Sequence, residues 1–313
     1  MTVIKPSALK KGDIIGIISP SSPPGTSDKI TKGAEYLERL GYRVKLGKNI
    51  DKTHGYLAGT DEERLADIYE MFNDKTVKAI IGVRGGYGTP RLLPFINYSL
   101  IKKNPKILVG YSDMTALQLA IFKKTGLVSF SGPMVGVEMW KEIDPFTEEN
   151  FWMMLTSKKK SGIMRNPEGK EFSILQAGTA SGRMIGGNLS MITSIVGTPF
   201  LPSFKNTILF FEEVGEECYR FDRMLNQLSL SGIFKEIKGT IIGELTEVKP
   251  SDLSKPYFTA EEVLLQYLTP LKKPAVAGLA YGHVSKKITM PVGIRATLNA
   301  NKNLISFDEA SVS

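Results

Sequence analysis

The segment Gly110–Asp113, of sequence GYSD, places a serine between an apolar run and the start of an amphipathic stretch. A serine on a sharp strand-to-helix turn projects its hydroxyl above the sheet, and the next backbone N–H, at the helix N-terminus, can hold an oxyanion. The segment matches the first half of the nucleophile-elbow pattern G-x-S-x-G, but Met114 stands where the second glycine would be. Ser112 is therefore a candidate nucleophile, although Ser112 and Asp113 are also residue types that commonly cap a helix.

A second candidate segment is Arg84–Gly88, of sequence RGGYG, which follows the apolar run Val77–Val83. Consecutive glycines let backbone N–H groups converge on an anion, either a phosphate or a developing oxyanion. The segment lacks the Gly-Lys-Ser/Thr ending of a P-loop and does not match G-x-G-x-x-G. We expect it either to hold an anion or to form a plain tight turn.

Two carboxylates and one histidine also close apolar runs. Glu212 and Glu213 follow Ile208–Phe211, and His283 follows Gly278–Tyr281, whereas His54 lies in a polar, turn-like segment. Glutamates at strand ends are often only solvated, and a lone histidine is more often a structural hydrogen-bonding residue than a base. With only two histidines in the chain, a histidine base would be His283.

Together these residues meet the needs of a serine hydrolase: a nucleophile, a base, a carboxylate that orients the base, and oxyanion donors. They occur in the chain order Ser, Glu, His at predicted strand ends. A cysteine hydrolase is less favoured, because Cys218 lies in a segment that we interpret as a loop. A non-catalytic two-domain protein that binds small molecules would also explain the glycine loops, and it predicts that Ser112 lies far from His283.

Composition excludes several other classes. The chain has 313 residues, two histidines and one cysteine, so a zinc centre and an intramolecular disulfide are not expected, and we predict no metal and no cofactor. The net charge of +8 is dispersed, and its longest basic run is Lys158–Lys160, which does not suggest nucleic-acid binding. No signal peptide or membrane-spanning stretch is recognisable, so we predict a cytoplasmic protein without a membrane partner.

The elements that must position these residues alternate between strands and helices. In the first half, the patterns predict strands at Asp13–Ser19, Tyr42–Leu46, Val77–Val83 and Lys106–Val109, and helices at Asp28–Leu40, Glu62–Phe72 and Met114–Lys124. In the second half, they predict strands at Thr207–Phe211, Thr240–Glu244, Ala275–Ala280 and Ile294–Leu298, a helix at Arg220–Leu230 and another helix following Gly182–Leu189.

This alternation predicts an α/β fold. We expect an N-terminal parallel-sheet domain, residues 1–165, that carries the elbow serine, and a smaller C-terminal α/β or β-rich domain, residues 166–313, that carries the glutamate and the histidine.

Over nearly its full length the sequence resembles the LD-carboxypeptidases, the serine peptidase family that includes the microcin-immunity peptidases. The matching segments, in the family's order, are Gly12–Ser21, Leu57–Asp67, Arg84–Leu93, Gly110–Asp113, Ser131–Met134, Gly186–Leu189, Phe211–Gly215, Tyr219–Leu225 and Gly282–His283.

The resemblance implies a Ser-Glu-His triad in a cytoplasmic, metal-free and commonly dimeric enzyme. By motif, Ser112 is the nucleophile, His283 the base and Glu212 the carboxylate, and the amides of Gly86 and Asp113 form the oxyanion hole. The adjacent Glu213 leaves the register of the carboxylate open, because successive strand residues point to opposite faces. Arg84 is the candidate for binding the substrate's terminal carboxylate.

The implied reaction is release of a terminal D-amino acid from a murein tetrapeptide, a small peptide substrate, during peptidoglycan recycling. The alternative within the family is a microcin-immunity peptidase that acts on a peptidyl-nucleotide. An aromatic pair lining the pocket would favour that alternative, but packing is the expected role of the only two tryptophans, Trp140 and Trp152. The compact length favours the murein branch.

Overall fold

The computed structural model describes residues 2–313 and folds them around two β-sheets. The strands are β1 (Ile14–Ile18), β2 (Arg43–Leu46), β3 (Val77–Gly82), β4 (Ile107–Val109), β5 (Ser129–Ser131), β6 (Gly162–Met164), β7 (Ser173–Gln176), β8 (Thr179–Asn188), β9 (Thr207–Val214), β10 (Gly239–Thr246), β11 (Ala275–Ala277), β12 (Met290–Val292), β13 (Arg295–Asn299) and β14 (Leu304–Phe307). The α-helices are α1 (Ser27–Arg39), α2 (Asp61–Asn73), α3 (Thr89–Leu92), α4 (Tyr98–Lys103), α5 (Met114–Thr125), α6 (Pro145–Thr156), α7 (Leu189–Ser194), α8 (Cys218–Leu230), α9 (Ile233–Glu236) and α10 (Ala260–Leu268).

The first sheet has the strand order β12-β5-β4-β3-β1-β2, in which β1 to β5 are parallel and β12 is antiparallel. Apart from the exposed Lys78 in β3, the side chains of its central strands are apolar and almost all buried, as expected for a parallel sheet covered on both faces. The predicted parallel-sheet unit is confirmed. The prediction missed β5, a strand of three residues of which two are serines.

The second sheet has eight strands in the order β6-β14-β13-β8-β9-β10-β11-β7. Strands β8 to β11 are parallel, and antiparallel strands complete both edges. The predicted α/β class of the C-terminal unit is confirmed. Most of Gly182–Leu189, predicted only to lead into a helix, belongs to the long strand β8, and α7 begins at its last residue. Three glycines in this segment obscure the alternation of a strand.

Two strands lie on opposite sides of the predicted boundary from their sheet neighbours. β12, far beyond residue 165, pairs with β5 in the first sheet, while β6, which ends at Met164, pairs with β14 in the second. The exact boundary between residues 165 and 166 therefore stays a prediction. No helix within residues 2–313 is long and apolar enough to cross a membrane.

The two sheets meet where helix α5 packs on strand β8. Gly187 has φ 148°, and a Cβ built on it would lie 2.3 Å from Cγ2 of Thr115. The hydroxyl of Thr115 accepts a hydrogen bond from the backbone N–H of Asn188 at 3.0 Å. Only glycine permits this close approach, which fixes the helix after Ser112 against the second sheet.

We expect Gly187→Ala to lower the free energy of unfolding by about 1–3 kcal/mol, because the added methyl group overpacks the contact with Thr115. Urea unfolding followed by circular dichroism measures the change. Adding Thr115→Ser removes the clashing γ-methyl and should restore part of the loss. Equal midpoints for Gly187→Ala and the wild type would contradict this account.

Candidate active site

Ser112 occupies a strained turn between β4 and α5. Its φ is 62°, in the left-handed region that non-glycine residues rarely adopt, and such strain concentrates at functional sites. A Cβ on Gly110 would lie 2.6 Å from Cγ of the buried Met114. Met114 thus fills the space beneath the turn, and the close approach that requires glycine falls on Gly110. The turn has the form of a nucleophile elbow although the motif lacks its second glycine.

The buried carboxylate of Asp113 joins this turn to the glycine loop. It accepts hydrogen bonds from the hydroxyl of Ser21 at 2.6 Å and from the backbone N–H groups of Gly88 at 3.1 Å and Thr89 at 2.9 Å. In return, the Thr89 hydroxyl donates to the Asp113 carbonyl at 2.6 Å. Burial raises the pKa of Asp113, while these hydrogen bonds oppose the rise. The Asp113 side chain therefore locks the loop against the elbow.

The glycine loop passes directly against the serine. A Cβ on Gly85 would lie 3.0 Å from Oγ of Ser112 and 3.3 Å from the amide nitrogen of Asp113. Gly86 has φ 114°, and a Cβ there would lie 2.4 Å from Oγ of Ser22. The loop backbone can run this close to Ser112 because Gly85 has no side chain, and it can pack against Ser22 because Gly86 has none.

Strand β9 and the loop before β12 bring Glu212 and His283 together. Nδ1 of His283 lies 2.8 Å from Oε2 of Glu212, whose side chain has no exposed surface. Asn188 donates its side-chain N–H to Oε1 of Glu212 at 3.1 Å. An ionised Glu212 accepts the Nδ1–H of the imidazole, which leaves Nε2 as the ring nitrogen able to accept a proton.

Glu213 points to the other side of β9, as strand alternation requires. Its carboxylate accepts hydrogen bonds from the backbone N–H and the hydroxyl of Ser190, both at 2.7 Å, from the Asn188 side chain at 3.1 Å and from its neighbour Val214 N–H at 3.0 Å. Burial raises the pKa of Glu213. The structure therefore places Glu212, and not Glu213, against His283.

Ser112 and His283 line one cavity of about 350 Å³, together with Arg84, Gly86 and Trp140. This shared lining is contrary to the separation that a non-catalytic binding protein predicts. His54 lies elsewhere: it is exposed and forms an isolated bridge with the buried Leu57. In the part of the chain that the structure describes, no three His, Cys, Asp or Glu side chains are placed to hold a metal ion.

Cys218 lies away from these residues. It is the first residue of α8, so the helix begins within the segment predicted as a loop. Cys218 also lines a different cavity from Ser112. Burial raises the pKa of its thiol, which disfavours the reactive thiolate.

The two tryptophans differ in their surroundings. Trp152 stacks on Tyr42 at 4.9 Å, packs edge-on against Phe151 and donates its indole N–H to Tyr36, so it packs as expected. Trp140 instead lines the Ser112 cavity, which the packing interpretation did not foresee.

A buried ion pair that the sequence did not reveal lies behind the histidine. Nζ of Lys287 is 2.6 Å from Oε1 of Glu138, which also accepts the hydroxyl of Tyr111 at 2.9 Å. The Tyr111 ring contacts both His283 and the ion pair: His283 packs edge-on against it at 5.0 Å, and the Lys287 ammonium lies 4.1 Å from its centroid. The pair clamps the chain that follows His283 onto the first half of the molecule.

Two family models match the chain. The model described as the LD-carboxypeptidase N-terminal domain matches residues 15–132, and the LD-carboxypeptidase C-terminal domain matches residues 181–298. A probable murein peptide carboxypeptidase of Bacillus subtilis is 41% identical over 296 residues, which cover 94% of this chain and 91% of the relative.

Solved structures are similar over almost the whole chain. A structure of MccF in complex with glutamyl sulfamoyl guanosine has a TM-score of 0.91 at 30% identity, covering 99% of each chain. The muramoyltetrapeptide carboxypeptidase of Oxalobacter formigenes has a TM-score of 0.82 at 33% identity, covering 94% of this chain and 97% of the other.

We expect Lys287→Met to destabilise the fold by about 3–5 kcal/mol, because it leaves the buried Glu138 carboxylate without its cation. Thermal unfolding measures this change, and Lys286→Met, a substitution at the exposed neighbouring lysine, is the matched control. Adding Glu138→Gln to Lys287→Met should recover much of the loss. If Lys287→Met were as stable as the control, the pair would not be the clamp described here.

Proposed function

We propose that the chain, which belongs to the LD-carboxypeptidase family and is a serine carboxypeptidase, hydrolyses the bond between an L-configured centre and a terminal D-amino acid. Its substrate would be a murein tetrapeptide, from which it releases D-Ala during peptidoglycan recycling. The observation that carries the proposal is the 2.8 Å contact between the buried Glu212 and His283, which lines the cavity that also contains Ser112. The names of the relatives from Bacillus subtilis and Oxalobacter formigenes support the choice of substrate.

In this mechanism Ser112 attacks the scissile carbonyl while Nε2 of His283 takes its proton. Glu212 holds the Nδ1–H, so the imidazole keeps the required tautomer and the imidazolium is stabilised. The proton then passes from His283 to the leaving amine, and the D-amino acid departs. Water attacks the acyl-enzyme with His283 again as base, and proton return to Ser112 regenerates the enzyme.

Two backbone amides and one guanidinium complete the proposed site. The amides of Gly86 and Asp113 hold the oxyanion, supported by the way the glycine loop is pressed against the serine. Arg84 binds the free terminal carboxylate, since its planar fork can bind such a group with two hydrogen bonds.

A second candidate substrate is a peptidyl-nucleotide, the alternative within the family. It is favoured by one observation, the presence of Trp140 in the cavity wall, where an indole ring could stack on a base. The similarity to MccF, whose structure holds glutamyl sulfamoyl guanosine, agrees with it. Incubating the enzyme with both substrate types and following the products by mass spectrometry separates the two.

We also propose that the enzyme acts in the cytoplasm as a homodimer, as the family resemblance implies. Light scattering coupled to size-exclusion chromatography tests the dimer, and cell fractionation tests the compartment. A monomer at all accessible concentrations would contradict the proposed assembly.

Ser112→Ala and His283→Ala should each lower kcat on a murein tetrapeptide by a factor on the order of 10³ or more, because members of a triad act as a unit. Release of D-Ala, followed by mass spectrometry, is the measurement. His54→Ala is the matched control and should leave turnover unchanged. Near wild-type turnover of either site variant would refute the mechanism.

The two adjacent glutamates should separate in their effects. Glu212→Gln should lower kcat by orders of magnitude, because the neutral amide no longer stabilises the imidazolium. Glu213→Gln should instead lower the free energy of unfolding by about 1–3 kcal/mol, because it disturbs the buried hydrogen bonds to Ser190. Assays of kcat well below both melting temperatures, combined with thermal melts, test this division. A larger loss of kcat in Glu213→Gln would reverse the assignment.

A further inference from the structure

The glycine loop that follows β3 has little conformational preference of its own. It contains Gly85, Gly86 and Gly88, and the last two have a positive φ. Because glycine populates many backbone conformations, the direction of the Gly86 N–H has to be set by contacts from outside the loop. The chain that follows β1 supplies such contacts.

Ser22 binds both peptide groups that flank Gly86. Its backbone N–H donates to the Gly85 carbonyl at 3.4 Å, and its hydroxyl accepts the Tyr87 N–H at 3.1 Å. A Cβ on Gly86 would lie 2.4 Å from Oγ of Ser22, so the loop packs directly on this side chain. Ser22 therefore restrains the loop on both sides of the proposed oxyanion donor.

The hydrogen bond to the Gly85 carbonyl determines where the Gly86 amide points. In a planar trans peptide, the C=O of Gly85 and the N–H of Gly86 point in opposite directions. A carbonyl that is held by Ser22 therefore turns the Gly86 N–H away from Ser22. Gly86 lines the Ser112 cavity and Ser22 does not, so Ser22 can act on the reaction only through the loop.

Ser22 is itself held by its neighbours in the chain. The Ser21 carbonyl accepts the Ala58 N–H at 2.9 Å, and the Pro20 carbonyl accepts a hydrogen bond from Nη1 of the buried Arg64 at 2.5 Å. Two prolines follow Ser22, and each proline ring fixes its φ. The residue that restrains the loop is thus anchored on both sides.

These contacts form a row of peptide groups that ends at Gly86. The Ala58 N–H binds the Ser21 carbonyl, whose peptide group carries the Ser22 N–H. The Ser22 N–H binds the Gly85 carbonyl, whose peptide group carries the Gly86 N–H. Hydrogen bonds in such a row polarise one another, so each bond makes the next N–H a stronger donor.

We propose that Ser22 is a positioning residue that aims the Gly86 amide at the oxyanion, through its hydroxyl and its backbone N–H. This inference rests on the proposed function, in which Ser112 is the nucleophile and Gly86 an oxyanion donor. It adds to that reaction a residue outside the cavity.

Ser22→Ala removes the acceptor of the Tyr87 N–H and keeps the backbone N–H of residue 22. We expect kcat on a tetrapeptide that ends in D-Ala to fall about tenfold, which is less than the factor of about 10²–10³ for a whole oxyanion donor. KM should change by less than about twofold, because the oxyanion forms only in the transition state. Assays well below the melting temperature of each variant measure both constants.

Two further variants show whether the hydroxyl itself matters. Ser22→Thr retains the hydroxyl and should recover most of kcat. Ser203→Ala is the matched control, because the exposed Ser203 also accepts a backbone N–H, that of Lys205 at 3.2 Å, and it should leave kcat unchanged.

A peptide boronic acid distinguishes a positioning role from a structural one. Its boron replaces the scissile carbonyl carbon and forms a tetrahedral adduct with Ser112, in which one oxygen takes the place of the oxyanion. Ser22→Ala should weaken binding of this compound about tenfold. The Kd of the D-Ala tetrapeptide, measured by calorimetry with Ser112→Ala as the background, should stay the same when Ser22→Ala is added.

An unchanged kcat in Ser22→Ala would overturn the inference, as would equal losses of affinity for the boronic acid and the tetrapeptide. A Ser22→Thr enzyme as slow as Ser22→Ala would also overturn it, since the hydroxyl would then have no part in the effect. If the wild type does not cleave the tetrapeptide, the proposed substrate fails, and acetylation of Ser112 by p-nitrophenyl acetate tests Ser22 separately. Slower acetylation in Ser22→Ala would support the inference, and equal rates would overturn it.

Discussion

A carboxylate without any exposed surface, Glu212, has to be compensated inside the protein, because an isolated buried charge would cost several kcal/mol. Its two oxygens meet the side chain of Asn188 and the ring of His283. The backbone N–H of Asn188 is held in turn by Thr115, in the first turn of the helix that follows Ser112. One short chain of hydrogen bonds therefore connects the elbow helix, strands β8 and β9 and the histidine loop. The distance between the two halves of the site is set by this chain.

A second buried carboxylate, that of Asp113, holds the glycine loop against the elbow. Asp113, the residue directly after the serine, accepts hydrogen bonds from Gly88 and Thr89 at the end of the glycine loop and from Ser21 in the chain after β1. The strained backbone of Ser112 is thus flanked by a side chain whose hydrogen bonds would all weaken if the turn relaxed. Small residues follow from the same geometry, since the loop can lie against the elbow only where Gly85 has no side chain, and against Ser22 only where Gly86 has none.

Apolar runs and helical periodicity predicted most of the central strands and helices, because those elements are buried on faces that the sequence pattern reveals. Contacts between distant segments left no such signal. Lys287 and Glu138 are 149 residues apart, and neither stands in a pattern that marks it as buried. The choice between Glu212 and Glu213 depends on which side of β9 faces the histidine loop, and alternation alone leaves that open. β12 was missed because it has three residues and joins a sheet formed by the other half of the chain.

The different surroundings of individual lysines show that the net charge of the protein does not predict the charge at a site. Lys287 is almost fully buried and its charge is paired with that of Glu138. This lysine therefore stabilises the fold and does not offer a free charge to a ligand. Lys29 has the same side chain, but its ammonium lies 4.9 Å from the centroid of the Trp140 ring, which attracts a cation without neutralising it. Both count equally in the overall +8. Because Lys29 and Arg84 line the Ser112 cavity, the field there depends on which cations lie in its wall and not on the number of basic residues in the chain.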